Sequence, residues 1–94
     1  MSEIKLIKFI SGEEIICEIP EATSTHDQSW EVKNAVTLMY SQSDDGKTTV
    51  GFSPFMPTSD GTITVLVQSM VSISDVQEGI LKQYRRIFSP IIVP

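Results

Sequence analysis

The chain contains one cysteine and one histidine among its 94 residues, and this scarcity excludes several kinds of site. A single cysteine cannot form a disulfide within the chain, and no Cys/His cluster has the spacing of a metal site. No apolar run approaches the roughly 18 residues that a membrane span requires. The N-terminus also lacks the basic start, apolar block and cleavage site of a signal peptide, so we expect a cytoplasmic protein.

Basic residues are scarce as well. Seven Lys and Arg stand against twelve Asp and Glu, which gives a net charge of −5. Because phosphate binding depends on clustered Lys and Arg, a uniformly basic nucleic-acid surface is excluded, although a small local site is not. No nucleophile–base pair, paired-carboxylate motif or phosphate loop is present. We therefore expect a protein that is not an enzyme and holds no cofactor or metal.

What the chain does contain favours one small β domain over residues 1–94. Hydrophobic residues make up 40% and charged residues 20% of the chain, a balance typical of a folded protein. The pattern of Ile4–Ile19 predicts two strands joined at a turn, where Gly12 can adopt the positive φ that a tight reversal of the chain requires. In the second strand, Ile15, Cys17 and Ile19 share one face.

Four further strand segments follow. Trp30–Tyr40 is the longest, and the Asp45-Gly46 pair predicts a hairpin turn after it. The returning strand Thr48–Phe55 ends in the proline-rich bend FSPFMP, which is either a lid over the core or a contact with a partner. The last two segments are Thr62–Val67 and Met70–Ile73.

Asn34 interrupts an otherwise apolar face of the longest strand. Strict alternation places it in phase with Trp30, Val32, Val36, Leu38 and Tyr40. A polar group there costs free energy unless it is paired. Two kinds of interpretation stay open. The structural one is a position at a sheet edge or bulge, or an amide satisfied by the backbone; the functional one is a hydrogen-bonding side chain in a ligand pocket.

A C-terminal helix is predicted over about residues 76–88. Val76, Ile80, Tyr84 and Phe88 recur at a spacing of four and form an apolar stripe. A capping box of Asp75 and Glu78 would start the helix. Three cations, Lys82, Arg85 and Arg86, suit its C-terminal end. The apolar tail 91–94 is expected to dock on its own core or on a neighbour.

The strands carry a loose resemblance to the two sequence motifs of Sm-like proteins, over roughly Ile4–Ile73. In the first motif, the match is Phe9–Gly12 with Ile15–Cys17, and Asp27–Glu31 follows at the spacing of its second part. In the second motif, Val65–Val67 and Val71–Ile73 match the two apolar strands. The chain is most similar to the short Sm-like proteins coded by phages of marine bacteria.

The resemblance implies a small, strongly bent barrel of about five strands over residues 3–74, with ring assembly through strand edges. The resemblance also implies that the protein is located in the cytoplasm of a host cell. The chain departs from the family at the positions that contact RNA, because Glu31 stands at the Asn position and Gln68-Ser69 replaces Arg-Gly. It also differs in the order of its elements, since the helix follows the strands instead of preceding them. Glu31 would repel phosphate and Gln68 removes a cation. The family's uridine-rich RNA binding is therefore expected to be weak.

Two functions are compatible with these residues. The first is a non-catalytic homo-oligomeric ring that binds RNA or another single-stranded nucleic acid weakly. The alternative is a structural or protein–protein interaction module that contacts a phage or host protein without RNA binding. The candidate RNA contacts are Lys33, Asn34, Gln68 and Ser69, and the candidate interface residues between subunits are Val50, Phe52, Ile63, Val65 and Val67.

Overall fold

The computed structural model describes residues 3–20 and 26–88. It contains six strands, a short 3-10 helix and a C-terminal α-helix. In chain order these are β1 (Glu3–Phe9), β2 (Glu14–Ile19), β3 (Ser29–Gln42), β4 (Thr48–Pro54), β5 (Thr62–Leu66), the 3-10 helix Val67–Ser69, β6 (Met70–Asp75) and α1 (Glu78–Phe88).

All the strand pairs are antiparallel, and the sheet has the order β4-β3-β2-β1-β6, with β5 pairing with β3 as well. The predicted β-rich fold with one C-terminal helix is confirmed. The six strands agree with the strand segments predicted from the sequence, whereas the barrel that the resemblance implies has about five. β4 and β5 pair with successive halves of β3. The sheet is also not closed: within the described residues, no ladder joins β6 to β4 or β5.

Both hairpins turn at the glycines that the sequence indicates. Gly12, between β1 and β2, has a φ of 97°, and its N–H donates to the Phe9 carbonyl over 2.9 Å. Gly46, between β3 and β4, has a φ of 85°, and its N–H donates to the Ser43 carbonyl over 2.9 Å. Glycine adopts these left-handed conformations without the steric cost of a side chain.

Asn34 is the point where β3 changes partner and face. Its φ is 55°, and it lies between the stretch of β3 that pairs with β5 and the stretch that pairs with β4. A left-handed residue interrupts the alternation of a strand. The prediction of one continuous phase from Trp30 to Tyr40 is therefore wrong, because Trp30 and Val32 pack on one face of the sheet and Val36 on the other.

The two faces of the sheet carry separate hydrophobic clusters. The inner cluster lies where β5 folds over the sheet, and Phe55, Ile63, Val67 and Met70 pack against it. Its buried members come from β1, β2, β3 and β5: Ile7, Phe9, Ile15, Cys17, Ile19, Trp30, Val32, Ala35 and Val65. Burial raises the pKa of the Cys17 thiol to about 12, so it remains protonated at neutral pH.

The helix-side cluster lies on the opposite face. It is built around the buried residues Ile16, Val36 and Tyr84. Three members of the predicted stripe, Val76, Ile80 and Phe88, pack against it. The amphipathic stripe read from the sequence is thus the face by which α1 contacts the sheet.

The start of the helix differs from the prediction. α1 begins at Glu78, and Asp75 is the last residue of β6 rather than a helix cap. The Asp75 carboxylate instead accepts a hydrogen bond from Lys5 Nζ at 2.5 Å, across the β1–β6 ladder. The predicted docking of the apolar tail concerns residues outside the described part of the chain.

Candidate functional site

A groove of about 540 Å³ runs along the outer side of β5. Within the described sheet β5 pairs only with β3, so its other backbone edge is free. A free edge has unpaired N–H and C=O groups that can pair with a further strand. The groove is mostly apolar and is lined by Phe9, Ile10, Ser11, Glu13, Phe55, Met56, Ile63, Thr64, Val65, Leu66 and Ser69.

The walls of the groove are held in place by the bend after β4 and by the β1–β2 turn. The rings of Phe9 and Phe55 stack with centroids 5.8 Å apart, and the Phe55 N–H donates to the Ala35 carbonyl over 3.1 Å. On the other side, the Ile10 N–H donates to the Ser69 carbonyl over 2.8 Å. Contacts within the chain therefore hold both walls of the groove in place.

The rim of the groove exposes large apolar side chains. Ile10 is 70% exposed, Met56 50% and Leu66 51%. Exposed apolar residues are common singly, but three around one apolar groove form a patch that a partner would cover with a gain in free energy. In the FSPFMP bend, Phe55 packs against the inner cluster, as expected of a lid over the core, while Met56 is exposed on the rim of the groove. The contact of this bend with a partner stays a prediction.

A second free edge lies at the other end of the sheet. β6 pairs only with β1 in the described residues, and it exposes Val71 at 63% and Ile73 at 38%. A register shift between Lys8 and Phe9 leaves Val71 without a partner in the β1–β6 ladder. In the described residues β4 also pairs only with β3, so its outer edge is free as well, but none of the exposed large apolar side chains lies on β4. The edges of β5 and β6 are therefore the two free edges that have exposed apolar side chains beside them.

Four of the five residues predicted for the subunit interface lie on β4 and β5, whereas Val67 begins the 3-10 helix, and their side chains face inwards. Val65 is 6% exposed in the inner cluster, and Ile63 and Val67 pack against that cluster. Phe52 packs against the helix-side cluster, and Val50 is partly buried. The parts of β4 and β5 that stay accessible to another copy of the chain are therefore their outer backbone edges and the Leu66 side chain.

Among the candidate RNA contacts, Asn34 has a structural role in the chain itself. Its side-chain Nδ2 donates to Glu18 Oε2 over 3.1 Å, and its carbonyl accepts the Tyr84 hydroxyl over 2.7 Å. The sequence allowed for a bulge position or for an amide satisfied by the backbone, but it indicated neither the Glu18 carboxylate nor Tyr84 as a partner. Asn34 and Tyr84 are separated by 50 positions in the chain, so no local pattern signals this contact.

The other three candidates lie at opposite ends of the β3–β5 ladder. Lys33 pairs with Thr62 at one end, whereas Gln68 and Ser69 follow the pair Ser29–Leu66 at the other. Four residues of strand separate these ends by about 13 Å. The Ser69 hydroxyl also donates to the Leu66 carbonyl over 2.6 Å. Within one chain the four residues do not form a single cluster.

The surroundings of Lys33 are acidic. A depression of about 310 Å³ is lined by this lysine together with Glu18 and Glu31, and all the charged residues that line it besides Lys33 are carboxylates. Two carboxylates beside one ammonium group give an unfavourable setting for a phosphate. The weak binding expected from Glu31 in the sequence is consistent with this arrangement.

The described residues contain no group of three or more His, Cys, Asp or Glu side chains placed to hold a metal ion. None of the helices in residues 3–20 and 26–88 is long and apolar enough to cross a membrane. The chain matches no protein-family model, and no curated protein is significantly similar to it.

Proposed function

We propose that this chain is a non-catalytic, Sm-like protein that assembles head to tail into a homo-oligomeric ring and binds single-stranded nucleic acid weakly. The observation that carries the proposal is the presence of two unlike free strand edges on one chain. β5 has an apolar groove beside it, and β6 exposes Val71 and Ile73.

Pairing between unlike edges has a defined consequence. If β6 of one copy adds to β5 of the next, the growing assembly keeps one free β5 edge and one free β6 edge, at its two ends, until it closes. Such heterologous contacts produce rings when the rotation per subunit closes, and filaments when it does not. The bent antiparallel sheet favours closure, because each added strand continues the curvature. Pairing also removes the exposed apolar rim of the groove from water.

The biological setting and the family follow from the sequence resemblance alone. A short Sm-like protein of a marine phage would work in the cytoplasm of the host cell. Its other partner would then be RNA or a phage or host protein.

The alternative function is a protein-binding scaffold without any RNA binding. The observation that favours it is the acidic surrounding of Lys33, in a chain whose net charge is −5. In that case the exposed Ile10 and Met56 would contact a phage or host protein, while the strand edges still assemble the ring.

Light scattering combined with a titration of short uridine-rich RNA tests the proposal. We expect one closed oligomer whose mass stays constant over the micromolar range. We also expect RNA binding with a Kd no tighter than about micromolar, which is the range of non-specific contacts. A monomer at these concentrations would contradict assembly. An oligomer that binds no RNA even at low salt would favour the scaffold function instead.

A variant of Lys33 and a double variant at the family's readout positions, Glu31 and Gln68, are expected to change RNA affinity in opposite directions. Lys33→Ala should lower the affinity by a factor of roughly 2–5, the size of one exposed charge contact. The double variant Glu31→Asn and Gln68→Arg should raise it, because a repulsive carboxylate is removed and a cation is added. Fluorescence anisotropy at several salt concentrations measures both effects.

Lys47→Ala serves as the matched control, since Lys47 is an exposed lysine in the β3–β4 hairpin turn, far along the chain from either position. It should leave the affinity within experimental error. Tight, salt-resistant and uridine-selective binding by the unmodified chain would contradict the expected weakness and indicate the full readout of the family.

A further inference from the structure

Positive charge is concentrated on one element of this acidic chain. α1 carries Lys82, Arg85 and Arg86 against the single carboxylate Glu78, a net charge of +2. Because the whole chain has a net charge of −5, all the other residues together carry −7. The other four cations are spread over β1, β3 and the β3–β4 turn, and one of them, Lys5, is paired with Asp75.

The three cations of α1 share one side of the helix. At about 100° per residue, they fall within an arc of roughly 100° that is opposite to Ile80, Tyr84 and Phe88. The helix therefore contacts the sheet with one face and presents the cations on the other. We call this surface, Lys82, Arg85 and Arg86, the α1 basic face.

The α1 basic face is open to solvent and mostly unpaired. All three residues are exposed, and Lys82 Nζ lies 3.9 Å from the Glu78 carboxylate, with both side chains at least 70% exposed. An exposed pair of this kind contributes little. Within the described part of the chain, neither Arg85 nor Arg86 has a hydrogen-bond or ion-pair partner. Attraction to the helix dipole accounts for cations in the last turn but not for Lys82, one turn earlier.

We infer that the α1 basic face binds the phosphate backbone of single-stranded nucleic acid. This inference rests on the proposed function and assigns its main nucleic-acid contact to the helix, beside the smaller contribution expected of Lys33. Guanidinium groups bind phosphate oxygens through paired N–H donors, so two adjacent arginines are well suited to phosphates. Contacts to phosphate carry no sequence information, so the binding is expected to be independent of sequence.

Assembly explains how so few cations can bind a polyanion. In a cyclic oligomer, equivalent helices lie on the same side, so the α1 basic face recurs around the ring. A strand that contacts one copy is held close to the next, which raises the effective concentration for each further contact. A single strand can follow this curve, whereas duplex DNA, with a persistence length of about 50 nm, resists bending on the scale of a small ring.

A pair of matched double variants tests the inference. Arg85→Gln with Arg86→Gln removes two charges from the α1 basic face, and Lys8→Gln with Lys47→Gln removes two exposed charges elsewhere. The probe is a labelled single-stranded homopolymer, either oligo(dT) or oligo(U), long enough to span several subunits. Affinity is measured by fluorescence anisotropy over a salt series, and the oligomer mass is checked by light scattering.

The arginine variant is expected to lose affinity roughly tenfold or more at low salt, and the slope of log affinity against log salt should fall by about 1.4 for each engaged subunit. The lysine variant should bind nearly as the unmodified chain does. Replacing both arginines by lysine should restore most of the affinity, because charge is kept and only the paired N–H geometry is lost.

Five outcomes would overturn the inference. Equal losses in both variants would mean that only the net charge matters, and no loss in the arginine variant would place the phosphates elsewhere. Dissociation of the arginine variant would make this face a contact with the acidic surface of another copy. Competition by poly-glutamate as strong as by nucleic acid would indicate an acidic protein partner. If the unmodified oligomer binds neither probe, the nucleic-acid part of the proposed function fails together with the inference.

Discussion

Replacing Tyr84 with alanine is expected to lower the free energy of unfolding by about 3–5 kcal/mol, the usual cost of removing a large buried aromatic side chain. Tyr84 is 1% exposed and is the only buried residue of α1. Its ring contacts Phe88 with centroids 4.9 Å apart, and its hydroxyl donates to the Asn34 carbonyl. Thermal or urea unfolding followed by circular dichroism measures the change.

Tyr84→Phe is the matched control for this prediction. It keeps the packing and removes only the hydroxyl that bonds Asn34, so we expect a loss of about 1–2 kcal/mol. Burial raises the pKa of the Tyr84 phenol, and the nearby Glu18 raises it further, so the hydroxyl is a protonated donor at neutral pH. An alanine variant that unfolds like the unmodified chain would show that α1 does not dock through Tyr84.

The second large effect is expected at the strand edges. Leu66→Lys at the groove rim, or Val71→Lys on β6, should each convert the oligomer to monomers without unfolding the chain. Leu66 is 51% and Val71 63% exposed, so the monomer tolerates a lysine at either position. In the assembled interface the same ammonium would be buried without a partner, which costs several kcal/mol per contact.

Met39→Lys is the control for these edge variants. Met39 is 56% exposed, but it lies on β3 opposite Gly51 of β4, and it belongs to neither the β5 edge nor the β6 edge. Sedimentation should find this variant assembled like the unmodified chain. If Leu66→Lys and Val71→Lys also remain assembled, the free edges of β5 and β6 are not the contact surfaces.

Local chemistry explains which parts of this fold could be predicted. Gly12 and the Asp45-Gly46 pair specify their turns through backbone conformation, which depends on one or two residues. The stripe of Val76, Ile80, Tyr84 and Phe88 is likewise a local pattern. The reversal of faces at Asn34 was missed, since strict alternation assumes an extended strand and this residue has a φ of 55°. Asparagine tolerates that conformation without requiring it.

The candidate site was harder to predict because the residues that line the groove are brought together only by the tertiary structure. Ile10, Met56 and Leu66 come from three distant segments, and nothing in the alternation of each segment indicates a shared groove. The strands of the proposed interface were predicted from their apolar pattern. That same pattern selected the inward side chains, such as Val65, over the exposed Leu66 beside them.

The central claim is that unlike edges of neighbouring copies pair head to tail, and mixing the two edge variants tests it most directly. Leu66→Lys keeps an intact β6 edge, and Val71→Lys keeps an intact β5 edge. Each alone should be a monomer of about 10.4 kDa. Mixed in equal amounts, they can form only one intact contact, because the other would bring two lysines together. Native mass spectrometry should therefore detect a one-to-one heterodimer and no larger species. A mixture that stays monomeric, or either variant alone forming a dimer, would contradict head-to-tail assembly.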